Sequence, residues 1–348
     1  MRAFFDPEQM MHDPQQFMRV GRICAPSDVP ERSQALLDAL SALKIPVEAP
    51  QDYGIAPLSK VHPQHYLDYF AIAYARWIAV PGAGIEVLPN VAPYLNGRVE
   101  DDARPPCPSD SPVAQAGYYL GDLACPIGPH TWRSSLRSAH SAVAAADALL
   151  SGEGASYALC RPSGHHVRSD RASGFCYLNN AAIAVERLRS RFARVAVLDV
   201  DAHHGDGTQH MFYRRADVLT VSLHVDPAHY YPFYTGYAEE RGHGAGLGYN
   251  LNLPLVPGAN NRDLLARLDE GLAAIRAYKP DALVMSLGFD THEEDPIGAL
   301  HISTGCFGEI GAKVRDLALP TAVIQEGGYG VHVIGACLSA FMRAFLAR

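Results

Sequence analysis

An apolar run over Val195–Val200 ends abruptly in a cluster of acids and histidines. Residues 199–207 read Asp-Val-Asp-Ala-His-His-Gly-Asp-Gly. Because side chains along a strand point alternately to its two faces, Asp199, Asp201 and His203 are expected on one side where the strand ends. Such groups are costly to bury without partners, and a bound cation removes that cost. The pattern predicts a metal site; the alternative is a polar loop whose acids are solvated or cap the next helix.

A catalytic zinc site uses about three protein ligands and leaves one position open for water or substrate. Asp201 and His203 supply two of these ligands. Asp290 follows another apolar run, Asp281–Leu287, and is the predicted third ligand, although it could instead cap a helix. Two carboxylates with one imidazole form a harder ligand set than His-rich zinc sites, so Fe²⁺, Co²⁺ or Mn²⁺ could compete with zinc.

Two adjacent histidines, His165 and His166, follow a glycine at the end of another apolar run. Each imidazole needs a hydrogen-bond partner if it is buried. Near a metal the two would form an acid–base pair, each tuned by a carboxylate behind it. Asp199 and Asp206 are the acids available for that role, and the alternative is a pair of histidines in a surface loop.

Tyr329 lies in the sequence Gly-Gly-Tyr-Gly. Flanking glycines permit turn conformations that other residues avoid and allow the backbone to approach a ligand closely. A phenol placed in this way can donate a hydrogen bond to a developing oxyanion. The alternative is a turn tyrosine that packs on the surface.

The same order of apolar strand, polar or glycine cluster and helix recurs along the chain. The predicted strands are Ala3–Phe5, Ser156–Cys160, Val195–Val200, Val218–Leu223, Asp281–Leu287 and Thr321–Gln325. The predicted helices are Glu31–Leu43, His62–Trp77, Ser134–Leu150, Asn180–Arg189, Asn261–Tyr278, Cys306–Leu317 and Ile334–Leu346. Strands that alternate with helices indicate an α/β fold, a parallel sheet covered on both faces. Ligands of such sheets bind outside the carboxyl ends of the strands.

The chain has 348 residues, 48% of them hydrophobic, and is long enough to bury a large core. We predict a single catalytic domain over residues 1–348, interrupted by a Pro-rich loop at about 81–112. That loop holds seven prolines and three glycines and shows no clear periodicity. Long loops of this kind are often functional or disordered. Since strand–helix units resume beyond it, we interpret it as an excursion from one domain.

Charge and cysteine usage limit the classes of function. The chain carries 29 basic and 37 acidic residues, a net charge of −8, which argues against a nucleic-acid partner and mildly favours a cationic ligand. Seven cysteines without Cys-x-x-Cys spacing are typical of reduced thiols. The sequence shows no long apolar signal region and no run that approaches membrane-spanning length. We expect a cytoplasmic protein with no membrane partner.

Several motifs, taken in order, resemble those of zinc-dependent histone deacetylase-like amidohydrolases. They are Gly-His-His, Gly-Phe-Cys-Tyr-Leu-Asn-Asn, Asp-Val-Asp-Ala-His-His-Gly-Asp-Gly, Ser-Leu-His, Gly-Phe-Asp-Thr and Glu-Gly-Gly-Tyr. Residues 226–242 and the loop at 81–112 are more similar to the bacterial acetylpolyamine amidohydrolase branch. The resemblance implies the arginase–deacetylase fold, a three-layer domain with a mostly eight-stranded parallel sheet between helices. It also implies a homodimer in which the loop narrows the entrance to the active site.

The resemblance also implies a role for each residue of the site. The implied metal ligands are Asp201, His203 and Asp290. The implied acid–base residues are His166 backed by Asp206 and His165 backed by Asp199. Tyr329 would polarise the scissile carbonyl. The implied ligands of a structural potassium ion, partly through main-chain carbonyls, are Asp199, Asp201, His203, Ser222 and Leu223. The implied aromatic walls of the substrate tunnel are Phe175 and Tyr231.

Three positions depart from the family pattern. Ser163 replaces a usual proline before Gly-His-His, which should have little effect. Tyr231 replaces the commoner phenylalanine and should make one tunnel wall more polar. Ala124 stands where polyamine-specific relatives can carry an acid, so a different group would have to recognise the distal ammonium of the substrate.

The expected function is zinc-dependent removal of acetyl groups from small cationic acetylated amines such as acetylpolyamines. One alternative keeps the chemistry and changes the substrate to acetyl-lysine or another small acyl amide. A second alternative is an arginase-like hydrolase with two metals, which would need a further Asp-rich motif. A third is a metal-dependent binding protein without catalysis, which the two histidines and the tyrosine of the site disfavour.

Overall fold

The computed structural model of the chain describes residues 1–93 and 104–347. Its strands are β1 Arg2–Phe4, β2 Phe17–Arg19, β3 Arg22–Cys24, β4 Val47–Glu48, β5 Ala155–Ala158, β6 Val195–Asp199, β7 Val218–Val225, β8 Asn250–Leu255, β9 Ala282–Leu287 and β10 Thr321–Gln325. Its α-helices are α1 Glu31–Ala42, α2 Gln64–Trp77, α3 Pro112–Tyr119, α4 Thr131–Leu150, α5 Asn180–Leu188, α6 Asp206–Phe212, α7 Asn261–Tyr278, α8 Thr304–Arg315 and α9 Val331–Phe345. Within these two ranges, none of the helices has both the length and the apolar character needed to cross a bilayer.

Eight of the described strands form one sheet in the order β4–β1–β5–β10–β9–β6–β7–β8. Every pairing in this sheet is parallel, whereas β2 and β3 form a separate antiparallel hairpin. Parallel neighbours need crossover connections, and the helices that supply them cover the faces of the sheet. The α/β class and the eight-stranded parallel sheet are therefore confirmed.

The central strand β6 shows how the sheet is held between two layers. All five of its residues are buried, as expected for a parallel strand covered on both faces. Ala196 and Leu198 pack in one core with apolar residues of α1, α7, α8 and α9. Val195 and Val197 pack in the other core with residues of α4 and α5. Burying such a side chain contributes about 1.5–3 kcal/mol to folding, so both layers fix the position of the strand end.

Most predicted elements are present with ends shifted by a few residues, whereas β4, α3, α6, β8 and the β2–β3 hairpin were not predicted. The first strand is Arg2–Phe4 rather than Ala3–Phe5. Strand β8 was not predicted because its sequence, Asn-Leu-Asn-Leu-Pro-Leu, contains two asparagines and Pro254, which are uncommon in strands. Proline is tolerated on an edge strand, where β8 lies. The hairpin β2–β3 was not predicted because each of its strands is only three residues long, too short for a periodic pattern.

The Pro-rich loop predicted at about 81–112 is described only in part, since residues 94–103 lie outside the described residues. In its described parts, residues 81–93 and 104–111, the only strand-like feature is an isolated antiparallel bridge between Val87 and Ile127. Helix α3 begins at Pro112, a favourable residue for the first turn of a helix.

Candidate active site

The three predicted metal ligands meet at the carboxyl ends of β6 and β9. Donor atoms of Asp201, His203 and Asp290 lie within 4.8 Å of one another, and all three residues are buried. Nδ1 of His203 is 3.0 Å from Oδ2 of Asp290 and 3.2 Å from Oδ1 of Asp201. The backbone amide of Ala202 donates to Asp290, and that of Gly327 donates to Asp201, both at 2.8 Å. The ligand side chains are thus fixed by the neighbouring strand ends.

The charges of this cluster fit a divalent cation. Burial, together with the negative charge of Asp201, raises the pKa of Asp290 to about 7. Burial opposes protonation of His203, but hydrogen bonds to the two carboxylates outweigh it and raise the pKa of the imidazole to about 9. Two buried carboxylates therefore share one imidazole. A cation would balance their charge, and an N,O,O donor set suits Zn²⁺, Fe²⁺ or Co²⁺.

Glycine is required beside the ligands because the backbone passes so close to them. A Cβ atom at Gly327 would lie 2.4 Å from Oδ2 of Asp290 and 2.6 Å from Oδ2 of Asp201. At Gly288 it would lie 2.1 Å from Oδ2 of Asp201. These contacts are shorter than van der Waals distances, so any larger residue would displace the carboxylates.

The two adjacent histidines pair with the two carboxylates proposed for them. Nδ1 of His165 donates to Oδ2 of Asp199, and Nδ1 of His166 donates to Oδ1 of Asp206, both at 2.9 Å. The imidazole ring centres are 4.1 Å apart. All four residues are buried. These bonds fix the ring orientation and leave Nε2 of His166 free to accept a proton.

The surroundings push the pKa values of the two imidazoles in opposite directions. Burial opposes protonation of His165, but the carboxylates of Asp199 and Asp201 outweigh it and hold its pKa well above the usual range. Burial, reinforced by the charge of His165, lowers the pKa of His166 to about 4. The pKa of His165 is therefore raised, whereas that of His166 is lowered. Such a split is typical of acid–base sites.

Tyr329 is buried rather than exposed in a surface turn, with 7% of its surface accessible. Oδ2 of Asp295 accepts from the backbone amides of Tyr329 (2.6 Å) and Gly330 (3.1 Å). The guanidinium of Arg32 lies 4.5 Å from the centre of the tyrosine ring, and its Nε donates to the carbonyl of Gly328 at 2.5 Å. Sequence reasoning missed Asp295 and Arg32, since no local pattern marks either residue.

A cavity of about 460 Å³ reaches the site from the surface. Its lining includes the metal-ligand candidate His203, the base candidate His166 and Tyr329. The two predicted tunnel walls, Phe175 and Tyr231, also line it. The ring of Phe175 lies 5.7 Å from that of Tyr329, and the ring of Tyr231 lies 5.0 Å from that of His166. Aromatic rings therefore line the cavity beside the metal-ligand candidate His203 and the base candidate His166.

The residues proposed for potassium lie at the end of β6 and on the part of β7 beside it. Asp199 and Ser222 are direct partners in the parallel register of the two strands. Leu223 follows on β7, and Asp201 and His203 follow on the chain after β6. The end of β6 thus lies beside the segment of β7 that carries Ser222 and Leu223.

A second group of potential metal donors, His165, Cys176 and Glu326, lies behind the site. The Glu326 carboxylate already accepts hydrogen bonds from the amide of Gly164 at 2.8 Å and from the hydroxyl of Ser286 at 3.0 Å. Burial raises the pKa of this carboxyl to about 7. We assign this group a structural role, because its carboxylate is used to hold neighbouring strand ends together.

The sequence of the chain matches a known protein family over most of its length. A model of the histone deacetylase domain matches residues 27–345. The chain belongs to the histone deacetylase family. The matched range contains every strand end that contributes a residue to the site described above, and the resemblance inferred from the sequence motifs is confirmed.

Within the histone deacetylase family, the chain is similar to bacterial enzymes over its full length. Acetylpolyamine amidohydrolase from Burkholderia pseudomallei is 45% identical over 346 residues, covering 99% of this chain and 98% of the relative. Acetylpolyamine amidohydrolase 1 from Pseudomonas aeruginosa is 40% identical over 337 residues, covering 96% of each. A crystal structure of acetylpolyamine aminohydrolase from Burkholderia pseudomallei superposes with a TM-score of 0.94, covering 100% of this chain and 99% of that one.

Proposed function

We propose that this protein is a zinc-dependent amide hydrolase that removes acetyl groups from small acetylated amines such as acetylpolyamines. One observation carries the proposal. Three metal-ligand candidates, two imidazole–carboxylate pairs and a buried tyrosine form one site, and three of its residues, His166, His203 and Tyr329, line one aromatic-lined cavity. The full-length similarity to enzymes named acetylpolyamine amidohydrolase supports this choice of substrate.

Asp201, His203 and Asp290 would hold the metal. A divalent ion bound there would supply Lewis-acid polarisation of the acyl carbonyl and would lower the pKa of a bound water. We prefer zinc for this position, with Fe²⁺ or Co²⁺ as substitutes that the two carboxylates would also accept. A potassium ion would be held by Asp199, Asp201, His203, Ser222 and Leu223.

His166 would act as the general base. Its Nδ1 is bonded to Asp206, and its pKa of about 4 leaves Nε2 unprotonated at neutral pH. Nε2 can therefore take a proton from the attacking water and return it to the leaving amine. A positive charge at His165 would lower the pKa of His166 further, in addition to burial. Tyr329 would donate its phenolic hydrogen to the acyl oxygen as negative charge develops there.

Two alternatives are less well supported. An arginase-like centre with two metals needs more carboxylates than the cluster of Asp201, His203 and Asp290 offers in the described part of the chain. A deacetylase of acetyl-lysine in proteins would use the same chemistry, and a lysine side chain is as slender as a polyamine. The full-length similarity to enzymes named acetylpolyamine amidohydrolase favours the small amines.

A substrate panel tests the proposed function. The zinc-loaded protein should hydrolyse acetylputrescine, acetylcadaverine and acetylspermidine with kcat/KM above that for acetyl-lysine peptides. We expect at least about a tenfold difference, the scale on which pocket shape discriminates. Released acetate is the readout for every substrate. A higher kcat/KM for the peptides would favour the protein-deacetylase alternative, and no hydrolysis of any of these amides would refute the proposal.

We also propose that the protein is a homodimer and that the loop at 81–112 contributes to the contact. A long Pro-rich loop has little of its own to pack against, and a symmetric partner would supply the missing surface. Sedimentation equilibrium should give about twice the 37.7 kDa mass of one chain. A variant that lacks residues 94–103 should sediment as a folded monomer. If the deletion variant remained dimeric, the loop would not contribute to the dimer contact.

The cytoplasmic location inferred from the cysteines stays a prediction.

A further inference from the structure

The carboxylate of Asp122 joins three separate segments of the cavity wall. Its Oδ1 accepts from the backbone amide of Ala124 at 2.9 Å. Its Oδ2 accepts from the amide of Gly174 at 2.9 Å and from the hydroxyl of Tyr231 at 2.7 Å. The last two partners are 52 and 109 residues away along the chain. Among the described residues that line the cavity, Asp122 is the only carboxylic acid.

The first wall that Asp122 holds is the turn at Gly174 and Phe175. These residues have φ values of +55° and +66°. Positive φ is uncommon for a bulky residue such as phenylalanine, so the surrounding structure must impose it. On one side the turn packs against His166, since a Cβ at Gly174 would lie 2.4 Å from Cδ2 of that imidazole. On the other side Asp122 holds the Gly174 amide, and the place of the Phe175 ring depends on both contacts.

The second wall is the ring of Tyr231. It stands nearly perpendicular to the ring of His166, at an interplanar angle of 88°. Its hydroxyl donates to Asp122, so the polar group that distinguishes this wall from a phenylalanine is bonded within the wall. The expectation that Tyr231 makes the tunnel surface more polar therefore needs refinement, because its hydroxyl serves to hold the ring in place.

We propose that Asp122 is a specificity-determining residue that fixes both aromatic walls and so selects unbranched amine chains over branched ones. Both rings line the same cavity, and a branch beside the amide nitrogen adds width that fixed rings accommodate less well than an unbranched methylene chain. The proposal rests on the proposed amide hydrolysis, because the chain that is selected is that of the leaving amine. Asp122 acts through Phe175 and Tyr231 and is a positioning residue for them.

Only a carboxylate fits the three donors. Both oxygens of Asp122 accept hydrogen bonds, whereas an asparagine has one accepting oxygen and one donating nitrogen. Asp122→Asn therefore places a donor against either the Ala124 amide or the pair formed by Gly174 and Tyr231. Burial raises the pKa of Asp122, and the Tyr231 hydroxyl and the two amides oppose that rise by stabilising the charge.

The test compares two neutral isomers, N-acetyl-n-butylamine and N-acetyl-sec-butylamine, in zinc-loaded wild type, Asp122→Asn, Tyr231→Phe and the double variant. Wild type should prefer the linear isomer in kcat/KM by at least about tenfold. Each single variant should lose most of that preference. The double variant should lose no more than either single variant, because both changes break the same hydrogen bond between Tyr231 and Asp122. The matched control is Asp226→Asn, whose carboxylate accepts from the Ala228 amide outside the cavity lining. It should keep the wild-type ratio.

The dissociation constants of linear and branched alkyl hydroxamates, which chelate the metal without turnover, give a second readout. The same loss of preference in binding is expected even if the protein hydrolyses none of the amides, which separates the failure of this proposal from that of the proposed function. Unchanged ratios in Asp122→Asn, with metal content and melting temperature equal to wild type, would overturn the proposal. The proposal would also be overturned if Asp122→Asn lost activity only on the cationic substrate acetylputrescine while Tyr231→Phe kept that activity.

Discussion

Replacing His166 with alanine should lower kcat/KM for acetylated amines by about 10²–10⁴, the range for loss of a general acid–base group. His166 is the neutral member of the imidazole pair, with a pKa of about 4. Its Nδ1 is bonded to Asp206, so Nε2 is the atom available for proton transfer. Alanine removes that atom and leaves the three metal-ligand candidates in place. The variant should therefore retain its metal while it loses most of its turnover.

The matched control for this prediction is His332→Ala. His332 also pairs its imidazole with a carboxylate, Glu294 at 3.0 Å, but its side chain is 65% exposed. Its removal should leave kcat/KM near the wild-type value. Steady-state kinetics with metal analysis would decide the matter, and a His166→Ala enzyme with more than half of wild-type activity would exclude this residue as the base.

Tyr329→Phe should lower kcat by about 10²–10³, roughly 3–4 kcal/mol, which is the usual effect of removing one oxyanion donor. The change removes the hydroxyl and keeps the ring, so the contact with Arg32 and the backbone bonds to Asp295 should remain. Because the phenol acts on charge that develops in the transition state, kcat should fall more than KM changes. Some activity should remain, since the metal also polarises the carbonyl.

Tyr53→Phe provides the comparison for Tyr329→Phe. The Tyr53 hydroxyl donates to Asp147 at 3.1 Å, outside the cavity lining, and its loss should leave kcat unchanged. Metal content should match wild type in both variants. If Tyr329→Phe kept full metal and more than half of the wild-type kcat, the phenol would have no part in the reaction.

The ends of strands were the most predictable part of the site. Asp199, Asp201 and His203 follow an apolar run, and their spacing of two residues places them on one face. Their order in the chain is therefore enough to bring them together. Asp290 was predictable for the same reason, because parallel strands end at one edge of the sheet. These inferences need only the periodicity of a strand and the direction of its neighbours.

The residues that position the site were not predictable in this way. Arg32 lies on α1 and reaches the Glu326 and Gly328 carbonyls almost 300 residues later, at separations of 294 and 296. Asp295 contacts the Tyr329 amide from a loop that carries no periodic signal. Asp122 was passed over although its neighbour Ala124 was singled out. In each case the role depends on contacts between distant segments, which no local pattern encodes.

The central claim is that Asp201, His203 and Asp290 hold a catalytic metal, and a metal titration tests it most directly. Zinc is added back to chelator-treated protein, and bound metal and acetate release are measured on the same samples, for wild type and Asp290→Ala. We expect activity to rise in proportion to bound zinc and to level off at about one ion per chain. The folded Asp290→Ala variant should bind little zinc and stay inactive. Full activity in verified metal-free protein, or a plateau at two ions per chain, would contradict the account.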